Sequence, residues 1–537
     1  MLRPQSRPVT LQGAKMVTAR SLAPVLVFTV LCWHGLIPSH ASSSDGFLQC
    51  LSESIPSQLV FTQSSPSFTS VLVSSIRNPR FFTPRTVRPQ WIVTPTNASH
   101  VQAAVVCGRR HGVRLRVRSG GHDYEGLSYR SQRAEVFAVV DLSNLRAVRV
   151  DEQSSTAWVE SGATLGELYY AVSQSSNQLA FPAGLCPTIG VGGHFSGGGF
   201  GTLLRKYGLA IDNVLDAVLV DAKARLLDKN AMGTDVFWAI RGGSGESFGI
   251  VLSWQVRLVP VPPTVTAFTI PVAVDEGAMD VVTRWQEVAP ALPEDLFIRA
   301  VLQNQTATFE SLYMGTCDAP LPVMRSRFPE LGMKMNRTTC QETTWIDTVP
   351  YFFPGSGATV DVYILNRTTS LNTYTKMTSD YVRQAIPREA WGSIFAWLAE
   401  PDAGLMILDP YGAAIASVPE SATPFPHRAG VLYNIQYVSY WFAAEDGAAH
   451  IKWIRDFYAF MEPYVTSNPR EAYFNYRDLN LGENVVVGNV SSYEAGKVWG
   501  EKYFRDNYKR LAIAKGEIDP DDYFRNEQSI PPLVPGK

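Results

Sequence analysis

Three glycine-rich stretches constrain this chain more than anything else in it: Arg118 to Gly126, Cys186 to Gly201, and Arg241 to Gly249. The first follows directly on Val113-Arg114-Leu115-Arg116-Val117, whose period-two alternation predicts a half-buried strand. Glycine at the end of a strand lets backbone N–H groups come close to a charged ligand. A pyrophosphate suits that arrangement, with Arg118 adding a positive charge. One such stretch is explained by a tight turn; three are not. None of them reads G-x-G-x-x-G, because Phe195 stands where a third glycine is required after Gly190 and Gly192. No Gly-Lys-Ser/Thr occurs either, so neither a Rossmann nor a P-loop site is expected.

The rest of the chain narrows the class further. At 537 residues, 45% hydrophobic and 18% charged, it is globular and long enough for roughly two to four domains. The first 41 residues carry four basic residues (Arg3, Arg7, Lys15, Arg20) and no acid. Without them 43 basic residues face 49 acidic ones, and no Lys/Arg cluster offers a nucleic acid a basic face. Arg20 precedes the apolar run Leu22 to Trp33, and Ser39-His40-Ala41 follows as a small-x-small site, the pattern of a secretory signal. Met1 to Lys15 adds nothing to that signal, which makes Met16 a candidate start. The run is too short to span a bilayer and no later segment is long enough. A secreted protein, extracellular or in the cell wall, is therefore expected. Five Asn-x-Ser/Thr sequons agree with that compartment, at Asn97, Asn304, Asn336, Asn366 and Asn489. Five cysteines remain once Cys32 leaves with the signal. The expected pairs are Cys50 with Cys107 and Cys317 with Cys340, each worth about 2–4 kcal/mol. Cys186 is then the odd thiol, inside a glycine-rich stretch.

From about Leu48 to Leu258 strand and helix signals alternate. Further strands are expected at Val136–Val140, Ala147–Val150 and Thr156–Val159. Thr164-Leu165-Gly166-Glu167 reads as a capping box opening a helix with Leu165, Leu168, Tyr169 and Val172 inward. Pro260, Pro262 and Pro263 mark a boundary. Beyond it, a helix over Glu276–Val288 and strands at Phe297–Leu302 and Thr308–Met314 predict an antiparallel sheet covered by helices across 265–465. The last seventy residues return to helical patterns.

At this level of detail the chain resembles a known family. The three stretches are similar to the flavin-binding signatures of the plant berberine-bridge-enzyme-like proteins. Those belong to the vanillyl-alcohol-oxidase/PCMH flavoprotein superfamily, and within it the chain resembles the grass-pollen group 4 allergens. The likeness spans the mature chain. It includes Tyr433-Asn434-Ile435-Gln436-Tyr437, Tyr473-Phe474-Asn475-Tyr476-Arg477-Asp478, Trp499-Gly500-Glu501-Lys502-Tyr503-Phe504 and Gln528-Ser529-Ile530-Pro531-Pro532. The resemblance implies an α+β fold. A signal (1–41) would precede a PCMH-type FAD-binding domain (42–264) and a substrate domain with a helix-covered antiparallel sheet (265–465). A C-terminal segment (466–537) would return to the FAD domain. It implies FAD attached twice, through His122 and Cys186, which accounts for the odd cysteine. The remaining cofactor-binding positions it implies are Arg118, Ser119, Gly120, Gly121, Ile189, Gly190, Gly192, Gly193, His194, Ser196, Gly249 and Val251; no metal is expected.

The chemistry it implies is oxidation of an alcohol, which needs a base for the hydroxyl proton while hydride leaves carbon. Tyr476 matches the base position, with Gln436, Asp409 and Tyr124 as polar neighbours. Taken without the resemblance, Tyr476 would be a core tyrosine and Gln436 a solvent-facing strand residue. A tyrosine of ordinary pKa near 10 must be activated by a cation or a hydrogen-bond partner. Members acting on monolignols carry Tyr at the position of Phe200 and Lys at that of Asn434. Asp409 replaces their Asn and suits a sugar hydroxyl. Ser244 interrupts the third glycine run, which a serine tolerates unless φ is positive. Ile189 stands at the family's oxygen-gate position, where bulk beyond Val accompanies slow reaction with oxygen. The expectation is therefore a monomeric flavoenzyme that oxidises a sugar at its anomeric carbon and passes electrons to an external acceptor. A monolignol oxidoreductase and a flavin-binding wall protein without turnover are the alternatives.

Overall fold

Parallel strands need long crossovers, and the first sheet supplies them with helices. The computed structural model describes residues 41–353, 359–369 and 371–534, with side chains from residue 45 onward. The expected signal, Ala41 apart, lies outside the described residues. Strands β1 (Val60–Thr62), β2 (Trp91–Val93), β3 (Arg114–Arg118) and β4 (Phe137–Asp141) form a sheet in the order β1-β2-β4-β3, with β4 parallel to both of its neighbours. The helix Ala98–His111 makes the crossover into β3. The Asn97 side chain accepts from His100 N at its start, and Gly112 ends it with φ 67°. Every residue of β4 is buried, as a parallel strand covered on both faces should be. Cys50 and Cys107 form a disulfide that ties the helix Ala41–Ser52 to this crossover helix.

The second sheet is antiparallel, in the order β5-β6-β10-β8-β9. Its strands are β5 (Val148–Asp151), β6 (Thr156–Glu160), β8 (Val214–Val220), β9 (Leu226–Leu227) and β10 (Ile250–Arg257). β7 (Leu179–Ala180) and β11 (Val259–Pro260) make a short pair beside it. The capping box forms as expected: Thr164 Oγ1 accepts from Glu167 N, and Glu167 Oε2 accepts from Thr164 N at 2.9 Å. Leu165, Leu168, Tyr169 and Val172 of its helix are all buried. They share one core with Phe195, Trp254 and the late residues Trp499, Tyr503, Tyr508 and Leu511. The C-terminal helices Tyr493–Phe504 and Asn507–Ile518 therefore pack into the first half of the chain. Near the very end, Glu527 accepts from buried Arg116 of β3 at 3.0 Å, and Gln528 Nε2 donates to the carbonyl of Asp478 at 2.9 Å.

Seven antiparallel strands build the third sheet, in the order β15-β12-β14-β13-β17-β18-β16. They are β12 (Val265–Ala273), β13 (Leu296–Gln303), β14 (Thr306–Tyr313), β15 (Cys340–Thr343), β16 (Tyr374–Val382), β17 (Leu405–Pro410) and β18 (Tyr433–Trp441). One face is sealed by the helices Ala278–Val288, Arg388–Leu398 and Gly447–Phe460. Ile298, Ala300, Leu408, Tyr433 and Ile435 point into that apolar layer. The alternate residues point the other way, and they make the site. The Cys317–Cys340 disulfide braces the edge strand β15. All five sequon asparagines are exposed. Among the described residues no helix is long and apolar enough to cross a membrane, and no group of His, Cys, Asp and Glu could hold a metal ion.

Candidate active site

The first two glycine stretches interlock. A Cβ on Gly120 would stand 2.3 Å from Gly190 N, and one on Gly190 would stand 2.2 Å from Gly120 N. Only paired glycines allow that approach. The backbone N–H groups of Gly120, Gly121 and His122 have no acceptor among the described residues, so this turn presents a row of free donors. They line a cavity of about 530 Å³ together with Ser119, Ile189, Gly190, Gly192, Gly193, His194, Ser196, Gly249 and Val251. Ser119 Oγ donates to Ser161 O, Ser196 Oγ to Gly192 O, and His194 Nε2 accepts from Gly184 N at 3.0 Å. Burial pushes the His194 imidazole down to about 4, so it stays neutral while it accepts. These bonds fix the three side chains in the wall of the cavity.

Interlocking also brings two nucleophiles to one hydroxyl. Thr188 Oγ1 lies 3.0 Å from His122 Nε2 and 3.4 Å from Cys186 Sγ. Cys186 is the one cysteine outside a disulfide among the described residues. Burial first, and then the Arg77 cation, push His122 down to about 3. Its ring is neutral at any pH above that, with a lone pair free to form a bond.

Opposite the glycine wall stands the free face of the third sheet, with Phe297 and Arg299 from β13, Ile407 and Asp409 from β17, Gln436 from β18 and Met377 from β16. The segment Tyr473–Arg477 closes the side. Tyr476 stacks on Tyr124 with ring centroids 5.7 Å apart and planes 6° from parallel, and Gln436 Nε2 donates to Tyr124 Oη at 2.6 Å. Phe200 packs edge-on against Tyr476 at 6.1 Å, so the position that departs from the monolignol pattern adjoins the proposed base. Asn434, the second departure, sits across from Asp409 and donates to Asp380 O. Asp409 is 5% exposed and makes no ion pair among the described residues. Burial raises its carboxyl to about 6, with Arg299 pulling it down and Glu310 pushing it up.

One expectation needs correction. Arg118 does not reach the cavity. Its fully buried guanidinium pairs with Asp141 and donates to the carbonyls of Val71 and Leu72, so it braces β3 against β4. A strand alternates faces, and the last strand residue points inward where the glycines after it turn out. Around Tyr476, the described residues supply neither a cation pair nor a hydrogen-bond partner for the phenol. Burial, then Tyr124 and Asp409, push its phenol well above the ordinary tyrosine range. Ser244 also sits at φ 69°, the left-handed region, at a cost of about 1–2 kcal/mol.

Three residues escaped the sequence reading. Arg477 is buried and joins Asp123, at 2.8 Å, to Glu246, at 2.6 Å, pulling the first and third glycine stretches toward Tyr476. Lys376 of β16 bridges Glu125 and Asp478 in a buried cluster that ties sheet, first stretch and C-terminal segment together. Arg299 carries no sequence signal apart from its place on an alternating strand.

A glycine cradle of free N–H donors, two nucleophiles on one hydroxyl, and a wall of phenols and a carboxylate fit a bound flavin. They define an FAD-binding oxidoreductase. Residues 89–229 match the FAD binding domain family, and residues 472–531 match the berberine and berberine like family. The chain is 62% identical over 488 residues to berberine bridge enzyme-like Cyn d 4 of Cynodon dactylon, covering 91% of this chain and 93% of the relative. It is 45% identical over 529 residues to berberine bridge enzyme-like 28 of Arabidopsis thaliana, covering 94% and 98%. Among solved structures it is similar to Phl p 4, described as a grass pollen allergen with glucose dehydrogenase activity. The TM-score is 0.90 at 59% identity, covering 91% of this chain and 100% of that one. A variant of that allergen with isoleucine replaced by valine is described as a glucose oxidase. This chain belongs to the berberine bridge enzyme-like family.

Proposed function

We propose that this protein is a secreted flavoprotein dehydrogenase that oxidises a sugar at its anomeric carbon, with FAD attached through both His122 and Cys186. The observation that carries the reading is the unpaired carboxylate of Asp409, set among Tyr476, Tyr124, Gln436 and Arg299 on the cavity's sheet wall. Such a wall offers acceptors and donors in alternation, the pattern a polyhydroxylated ring requires. The glucose dehydrogenase description of the similar pollen allergen supports the same substrate class. Bound FAD supplies the acceptor for the hydride equivalent.

The residues of this chain handle the proton. Asp409 takes it from the substrate hydroxyl: above about pH 6 the carboxylate is ionised and accepts, and below it is protonated and cannot. Tyr476, whose phenol stays protonated, offers its hydrogen bond to the substrate and stacks on Tyr124. Gln436 fixes the Tyr124 hydroxyl. Phe200 and Asn434 leave this corner without the extra phenol and cation of the monolignol pattern, which favours a neutral sugar. The deciding experiment is anaerobic bleaching of the bound flavin. Glucose should bleach it and coniferyl alcohol should not. Bleaching by coniferyl alcohol alone would make this a monolignol enzyme, and bleaching by no alcohol or sugar would make it a binding protein.

Ile189 packs against the core while lining the cavity, where an added methylene narrows a path for a diatomic molecule. Ile189→Val should speed reoxidation of the photoreduced protein by about tenfold or more, equivalent to about 1.4 kcal/mol of barrier. Stopped-flow absorbance measures it. Equally fast reoxidation of both proteins would make the wild type an oxidase.

A further inference from the structure

One rung of the third sheet crosses the cavity face with an ordered run of polar residues. Glu310 of β14 faces Arg299 of β13, and Asp409 of β17 faces Asn434 of β18. The register between β13 and β17 pairs Ala300 with Leu408, so the next position brings Arg299 and Asp409 side by side on the cavity face. Arg299 is held on one edge only. Its Nε donates to Glu310 Oε2 at 2.7 Å, Nη2 lies 2.6 Å from the same oxygen in the ion pair, and Nη1 makes no bond among the described residues. A surface sheet would use such a pair for solubility, but here both partners are largely shielded, at 13% and 21% side-chain exposure. Half-desolvated ion pairs contribute little to folding compared with an apolar pair of the same shape, so stability alone does not explain this one.

We propose that Arg299, clamped by Glu310, is the positioning residue that keeps Asp409 ionised and facing the substrate. The inference rests on the reading of Asp409 as proton acceptor and adds what governs it. The clamp matters because an unclamped guanidinium would swing onto Asp409 and form a direct ion pair. That pair would occupy the carboxylate and make it a poor base. Held at one remove, Arg299 stabilises the charge without blocking it. Its free edge also lies where an oxygen of the substrate can accept from it. The charged groups facing Asp409 are Arg299 and, through it, Glu310. Tyr411 of the segment after β17 and Tyr476 of the C-terminal segment contribute phenols, and Asn434 is uncharged. Burial raises the Asp409 carboxyl, Arg299 lowers it and Glu310 raises it, which gives the two partners opposite signs.

The test is the pH profile of anaerobic flavin reduction by sugar in the purified holoenzyme, paired with an infrared titration of the carboxylic-acid band without substrate. Arg299→Met should move the acid limb and the band to higher pH by about one unit, since a lost neighbouring cation typically shifts a carboxylate by 1–3 units. Glu310→Gln should move both to lower pH, and Arg299→Lys should stay near the wild type. Asp409→Asn identifies the limb and the band by removing them. If it removes them while neither Arg299→Met nor Glu310→Gln shifts them, Arg299 has no such role although Asp409 keeps its own. If Asp409→Asn leaves the limb in place, the reading of Asp409 falls and the inference with it. Should Arg299→Met fail to fold, Glu310→Gln and Arg299→Lys carry the test by themselves.

Discussion

Asp409→Asn lowers the rate of anaerobic flavin reduction by about 10²–10⁴-fold, the range for losing a general base, and abolishes the acid limb near pH 6. The amide keeps the shape and the neighbours of the carboxylate but cannot take a proton. Substrate binding, read as KM, should therefore change far less than kcat. Tyr476→Phe is the informative partner. It removes a hydroxyl whose phenol is held well above its ordinary range by burial and two neighbours, so the loss is that of a hydrogen bond, about tenfold. The reverse ranking, with Tyr476→Phe the crippling change and Asp409→Asn mild, would return the proton to the phenol and require a bound group that activates it.

Acid-denatured protein keeps its yellow colour, and only the combined change His122→Ala with Cys186→Ala releases all of the flavin. Each nucleophile lies against Thr188 Oγ1, so either alone still has a hold on the same ligand edge. His122 is held neutral, with its pKa near 3, and a neutral ring is the form able to make a bond to carbon. Each single variant should retain flavin on a denaturing gel, visible by fluorescence where the sulfur is absent. Complete loss of colour from the wild type on denaturation would end the claim of covalent attachment.

Much of the fold can be read from local signals. The capping box at Thr164 and the alternation of β13 and β14 appear where short-range chemistry places them, and the two disulfides join the cysteines expected to pair. The order of the seven-stranded sheet is not local. Nothing near β17 states that it separates β13 from β18, yet that insertion is what sets Asp409 beside Arg299. The same limit explains Arg118. The motif supplies an arginine next to glycines, and only the tertiary register decides that it faces Asp141 rather than a ligand. Ser244 shows the converse. A residue type that ordinarily avoids positive φ occupies it because Ser196 O holds the turn from outside the stretch and Ser247 holds it from within. Arg477 and Lys376 are ordinary in sequence and become organising groups only because three distant segments deliver carboxylates to them.

That convergence fixes an order of events in the life of the molecule. Tyr476, Arg477 and Asp478 follow both the glycine wall and the seven-stranded sheet in the sequence, and Glu527 and Gln528 lock Arg116 and Asp478 from later still. While the chain is emerging from the ribosome, the glycine wall and the seven-stranded sheet have no third side between them. The cavity is consequently enclosed only after residues 473–477 have been made. A chain that stopped short of Glu527 would leave buried Arg116 with Glu135 as its remaining carboxylate and the Asp478 carbonyl without the Gln528 amide, so the segment carrying Tyr476 would lose its anchor to the first sheet.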